Sequence, residues 1–226
     1  MTEDSSIQRW GGLAGVAGSL LFVIVVAIVA VFIGPEPAGL TAAIERFPDI
    51  RTPRTIEDGL YLVVLMLWVS TALALYRRLR ATRPATALFG SALNLVGLAV
   101  LAAGALPHAV WVGLADRYHA ADASPAQREA LALQWQAMQN LLDTVLITGL
   151  VVLATGVTVL ATAVFALGRV TGVASLILGL ASLGAATTVL IDPYSIAAAV
   201  SVLALIGFHL LIGAKLMSVT QQGRSR

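Results

Sequence analysis

Six long apolar stretches, separated by short charged segments, constrain this chain more than any other feature. A helix needs about 20 apolar residues to cross a hydrocarbon core of ~30 Å. The stretches run over 11–33, 58–76, 84–106, 141–167, 170–191 and 196–217. Each is apolar all round rather than striped, the pattern of a buried or membrane helix. A membrane barrel would need short segments of alternating polarity instead. The expected fold is therefore all-α: a polytopic membrane protein whose six transmembrane helices form one bundle and a single domain over residues 1–226. Only 12% of the residues are charged, against about 25% in a soluble domain, and the mean hydropathy is +0.90.

The boundaries carry their own chemistry. The first stretch stops at Gly34-Pro35, and the second stops in Arg77-Arg78-Leu79-Arg80. The third starts at Pro84, where a missing N–H has no helical partner to lose. The apolar run after Trp10 is too long for the core of a cleavable signal, so the first helix is expected to be retained.

Lysine and arginine near helix ends set orientation. With six spans both termini share one side. That side holds Arg9, Arg77, Arg78, Arg80, Arg83, Arg169, Lys215, Arg224 and Arg226 against Glu3 and Asp4, a surplus of seven positive charges. The other side holds five arginines against ten acids, a deficit of five. Both termini are expected in the cytoplasm of a bacterium, with the chain in the plasma membrane; the Ala, Val and Arg bias points to a high-GC genome. The overall charge of +2 is split between two faces, so nucleic acid is not an expected partner. Membrane lipids are, and a helix-mediated protein partner or a second copy of the chain is compatible with the small-residue faces below.

Two outer connections are longer than a tight turn needs. In 34–57, Leu40, Ile44 and Phe47 repeat at helical spacing, which predicts a short interfacial helix ending before Pro48. Thr55-Ile56-Glu57-Asp58 then reads as a new helix start, with Thr55 as cap and acids in the first turn. In 107–140, Ser124-Pro125-Ala126-Gln127 has the residues of a capping box. Beyond it Leu131, Trp135, Met138, Leu142 and Val145 share one stripe, so an amphipathic outer helix leads into the fourth span. An unbroken helix from Pro125 to Leu167 would be roughly 65 Å long. Either the segment projects outside, or it bends near Asn140 and lies along the surface; the bend is the expectation, with Trp135 at headgroup level.

Polar residues inside a span are candidates for function, because lipid offers them no partners. Asn94 lies about ten residues into the third stretch, roughly 15 Å deep. His209 lies six residues before Lys215 in the last. Asp143 falls at the start of the fourth. These three are the candidate ligand-binding residues, although interhelical hydrogen bonding is the simpler account of Asn94 and His209. His108 and His119 are the candidate metal ligands, near the carboxylates Glu57, Asp58, Asp116 and Asp192. They are eleven apart, without a ligand-pair spacing, and a solvated acidic rim explains the carboxylates. No catalytic residue and no cofactor are expected. Cysteine is absent, which removes thiolate and disulfide chemistry. There is also no Gly-x-Gly-x-x-Gly, no Walker lysine, no His-Glu-x-x-His and no Gly-x-Ser-x-Gly. The pairs Gly11/Gly15, Ala14/Gly18, Gly168/Gly172 and Ser175/Gly179 place small residues on one helix face, a device for close helix approach.

The run Ala74-Leu75-Tyr76-Arg77-Arg78-Leu79-Arg80, followed by Arg83-Pro84-Ala85 and Leu88, resembles the junction of helices two and three in an uncharacterised family of six-helix bacterial integral membrane proteins. The Arg-x-x-Gly start, Arg9 to Gly12, is similar as well. Where that family has aromatic residues and histidine at the start of the fourth helix, this chain has Gln136, Gln139 and Asp143. The resemblance implies topology and no activity. The expected function is non-enzymatic, binding or helping to move a small or hydrophobic solute. A membrane scaffold or regulatory subunit, and a lipid-modifying membrane enzyme, are the alternatives.

Overall fold

The computed structural model describes residues 3–35, 37–105, 107–192 and 195–222, which contain helix and no strand. Seven α-helices follow one another: α1 (Glu3–Ile28), α2 (Ala42–Leu79), α3 (Pro84–Ala103), α4 (Pro107–Tyr118), α5 (Pro125–Val164), α6 (Arg169–Ile191) and α7 (Ala197–Gln222). All but α4 are long and apolar enough to cross a membrane. The six form a closed ring in chain order: α1, α2, α3, α5, α6, α7 and back to α1. Across its centre α2, α5 and α7 also touch one another. The outside of the ring is as apolar as the inside. Ile177, Leu180, Leu190 and Leu203 are all more than half exposed, an arrangement that suits a multi-pass membrane protein and would be costly in water.

Small residues let the helices meet. Gly11 lies against Ala74 of α2, Gly15 against Thr71, and Gly18 against the Trp68 indole. Gly12 meets the Gly213 carbonyl of α7. Gly179 of α6 faces the Thr158 backbone, and Gly172 faces Phe165 in the turn after α5. Hydrogen bonds between helices follow the same seams. Thr71 donates to the Gly11 carbonyl at 3.0 Å, Ser19 to the Ile206 carbonyl at 3.2 Å, and the Ser182 and Ser201 hydroxyls sit 3.0 Å apart.

The tightest seam joins α3 to α5 and has a seven-residue period. In α3, Gly90, Gly97 and Gly104 face leucines of α5; in α5, Gly149 and Gly156 face Leu101 and Asn94 of α3. Side-chain knobs of each helix enter glycine holes of the other, with the 3.5-residue repeat of a left-handed pair.

The ends facing away from the termini depart most from the sequence expectations. The interfacial helix and the new start at Thr55 are one continuous helix of 38 residues. Thr55 donates its hydroxyl to the Arg51 carbonyl at 2.9 Å instead of capping. Pro48 and Pro53 lie inside this helix, where a proline normally orphans the carbonyl four residues back. For Pro48 that carbonyl belongs to Ile44, and the His119 Nε2 lies 3.2 Å from it. The imidazole replaces the lost donor, so the helix runs on.

Asn140 likewise interrupts nothing: α5 is one continuous helix of 40 residues. Its start is the expected capping box, with Ser124 Oγ accepting from the Gln127 N–H and Gln127 Oε1 accepting from the Ser124 N–H. Trp135 faces protein. It is 5% exposed and packs edge-on against Phe47 at 5.1 Å and stacked on Trp111 at 5.5 Å. A helix longer than the membrane needs a partner for its projecting end. Here α2 and α5 both project beyond their apolar segments, and α4 packs against both. Ile44, Phe47, Trp111, Leu114, Ala115, Tyr118, Ala132 and Trp135 form a second core at that end, a three-helix cap. Polar contacts knit it: Arg51 pairs with Asp116 at 2.9 Å, and the Tyr118 hydroxyl donates to Glu45 at 2.9 Å. Burial, and then the bond to Glu45, push the Tyr118 phenol above its ordinary pKa, so it stays a neutral donor.

Candidate binding cavity

Beneath the cap, inside the ring, lies a cavity of about 360 Å³. The first helix contributes Phe22, Val25, Val26, Val29 and Ala30. Its last turn is a π-turn, Val29–Ile33, closed by the Gly34 N–H donating to the Val29 carbonyl at 2.7 Å. Such turns recur at functional sites because they re-aim side chains without breaking the helix. The opposite wall is Leu101, Gly104 and Ala105 of the α3 end with Leu142, Leu146 and Leu150 of α5; Val202 and Leu205 of α7 complete it.

The second helix supplies both a polar end and the floor. Arg54, Glu57, Asp58, Tyr61 and Trp68 all line the cavity; Arg54, Glu57, Tyr61 and Trp68, spaced by three, four and seven residues, share one helix face, with Asp58 beside it. Arg54 pairs with Glu57 at 3.2 Å, and its guanidinium lies 5.9 Å from the Trp111 ring. From that end inward the aromatic rings touch in sequence. Tyr61 meets Phe22 edge-on at 5.8 Å, and Phe22 meets Trp68 at 5.2 Å. Trp68 stacks flat on His209, with centroids 3.9 Å apart and planes 3° from parallel. Beyond this floor Leu75, Leu79, Leu160, Ile212 and Leu216 are fully buried and fill the bundle. The indole N–H groups of Trp68 and Trp111 are buried without a hydrogen-bond partner in the protein. A buried donor left so costs about 1–3 kcal/mol, and here both belong to residues of the cavity wall.

None of the three ligand-binding candidates from the sequence, Asn94, His209 and Asp143, lines this cavity. His209 is buried directly behind the floor, its Nδ1 donating to the Leu205 carbonyl at 2.9 Å. Asn94 is buried in the α3–α5 seam against Gly156, and neither its amide oxygen nor its amide nitrogen has a partner. Asp143 is on the exposed side of α5, while its neighbour Leu142 faces the cavity. The structure thus does not bring Asn94, His209 and Asp143 together. Of the two metal candidates, His108 has a side chain outside those described, and His119 is engaged with the Ile44 carbonyl. Among the described residues no three His, Asp or Glu side chains gather closely enough to hold a metal ion.

What the sequence reading passed over is the α2 stripe itself. Glu57 and Asp58 were explained by helix capping, yet the helix begins well before them, at Ala42. The legible signal was the succession Arg54, Glu57, Tyr61 and Trp68 at helical spacing, polar first and aromatic after. Compared with known protein families, curated proteins and solved structures, the chain matches none.

Proposed function

We propose that this chain binds an amphipathic small molecule in the cavity beneath the cap, as a non-enzymatic binding or carrier protein of a bacterial plasma membrane. The observation that carries the reading is the cavity: about 360 Å³, walled by aliphatic and aromatic side chains, with its charged groups confined to one end. Small-molecule sites typically have this character, mostly apolar with a few placed polar groups, in a volume of roughly 300–1,000 Å³.

The test is copurification in mild detergent, with mass spectrometry of bound small molecules and lipids. Val202→Trp places an indole into the cavity from α7; Ile177→Trp adds the same bulk on the exposed side of α6, away from it. The native protein and Ile177→Trp are expected to carry the same amphiphile, and Val202→Trp to lose it by about tenfold or more. Equal recovery from all three would refute the cavity as the site.

The arginine distribution supports termini in the cytoplasm and the cap outside. The cysteine-free sequence makes this simple to check. In intact cells Arg128→Cys should react with a membrane-impermeant maleimide, and Arg80→Cys only after permeabilisation; the reverse pattern would invert the topology.

A further inference from the structure

We propose that the molecule this cavity takes is a bilayer lipid, one of whose acyl chains enters sideways from the membrane between α3 and α5. The proposal rests on the cavity reading above and adds the ligand class and its route. A groove of about 230 Å³ lies at the cap end of the α3–α5 seam, between these helices and α4. Val110 and Leu141 on its flanks are 44% and 55% exposed, so it opens on the outside of the ring. Among the described residues no polar side chain lines it. Gly104 of α3 and Leu142 of α5 line both this groove and the cavity. These two residues are therefore a partition between the apolar exterior and the space inside.

That partition is the softest part of the seam. Further along, backbone closes on side chains and backbone alike: a carbon built at Gly97 meets the Leu153 nitrogen at 2.5 Å. A carbon built at Gly104 meets leucine ends of α5 instead, Leu146 Cδ2 at 3.1 Å and Leu142 Cδ1 at 3.4 Å. Leucine ends move by a change of rotamer, so this wall opens without separating the helices. The way in through the cap is harder. A void of only about 40 Å³ there shares Arg54 and Trp111 with the cavity. Passage would pull Arg54 from Glu57 and Trp111 from its stack on Trp135. Through the groove, an acyl chain exchanges apolar contacts for apolar contacts. Gly104 and Leu141 also lie at the ends of the apolar stretches 84–106 and 141–167. The groove is thus level with the boundary between headgroups and chains, where a lipid keeps its head outside while one chain turns inward.

The experiment uses the full-length chain in phosphatidylcholine nanodiscs, with a small fraction of the lipid carrying a photoreactive diazirine at the end of one acyl chain. After irradiation, mass spectrometry locates the labelled residues. Val25 and Leu205 line the cavity and are 2% and 0% exposed, so label on them reports a chain inside and not lipid around the protein. Both are expected to be labelled in the native protein and in Ile177→Trp. Val110→Trp and Val145→Trp add bulk to the groove, and neither residue lines the cavity. Each should lower the label at Val25 and Leu205 by about tenfold, within what overpacking a close-fitting site costs. Leu142→Ala should raise it, a gain that damage to the fold would not produce. Val25 and Leu205 left unlabelled, or labelled indifferently to both groove substitutions, overturns the proposal. If they stay unlabelled while copurification still separates Val202→Trp from the native protein, the cavity stands as a binding site and only the lipid chain and its route fail. If Val202→Trp changes neither copurification nor labelling, the cavity reading fails and the proposal with it.

Discussion

Gly97→Ala is expected to cost this protein about 3 kcal/mol, and Gly97→Leu to leave no intact bundle. A methyl group built at Gly97 lies 2.5 Å from the Leu153 nitrogen and 2.6 Å from its Cα. These are backbone atoms in the middle of a helix, so no rotamer change relieves them and α3 must move away from α5. Overpacking of this kind typically costs 1–3 kcal/mol. Here the top of that range applies, because one displacement also lifts Leu101 and Leu160 from Gly149 and Gly90 along the same seam. The control is Gly184→Ala on α6, where nothing lies within 4 Å of the added carbon. Intrinsic helix propensity favours alanine over glycine by about 1 kcal/mol, so that variant should be neutral or slightly stabilised. Thermal unfolding of the three proteins in one detergent makes the comparison. A Gly97→Ala melting temperature equal to that of Gly184→Ala would mean that the seam is not close-packed.

Trp68→Ala is expected to be the most damaging single truncation, at about 3–5 kcal/mol. The side chain is fully buried. It touches Phe22 on one side, stacks on His209 on the other, and floors the cavity. Removing it would join the cavity to the space around the imidazole and leave a buried polar ring without its stacking partner. Trp68→Phe retains an aromatic surface and removes the unpartnered indole N–H, so its cost should be well under half as large. Chemical unfolding followed by far-ultraviolet circular dichroism distinguishes them. If the two variants were equally stable, the stack on His209 would have no part in holding α2 to α7.

Hydropathy alone made the six membrane-length helices legible, because a span must satisfy its backbone internally and present apolar side chains all round. The capping box at Ser124 and the small-residue contacts of Gly11, Gly15, Gly18, Gly172 and Gly179 were legible too, since both are local patterns. The cap was not. Its core depends on Phe47, Trp111 and Trp135, which come from three distant segments, and on a histidine repairing a proline defect 71 residues earlier in the chain. Sequence rules treat Pro48 as a stop because they count the lost hydrogen bond and cannot see His119 supplying another. Asn94 and His209 stood out because polar residues in lipid are conspicuous, yet conspicuousness does not tell a wall from a hole. Much of the cavity wall is Val and Leu side chains that stop short of one another, and a span of such residues looks the same in sequence whether or not it encloses space.

The cap also changes the mechanics of the bundle. With 40 residues, α5 is a rod of about 60 Å, and α2 is nearly as long. Both are gripped near one end by Phe47 and Trp135. A rod of that length is a lever: one degree of splay at the grip carries the far end sideways by about 1 Å. The aromatic contacts of the cap therefore act at one end of both rods, beside the cavity, while the glycine seam with α3 holds α5 along its length.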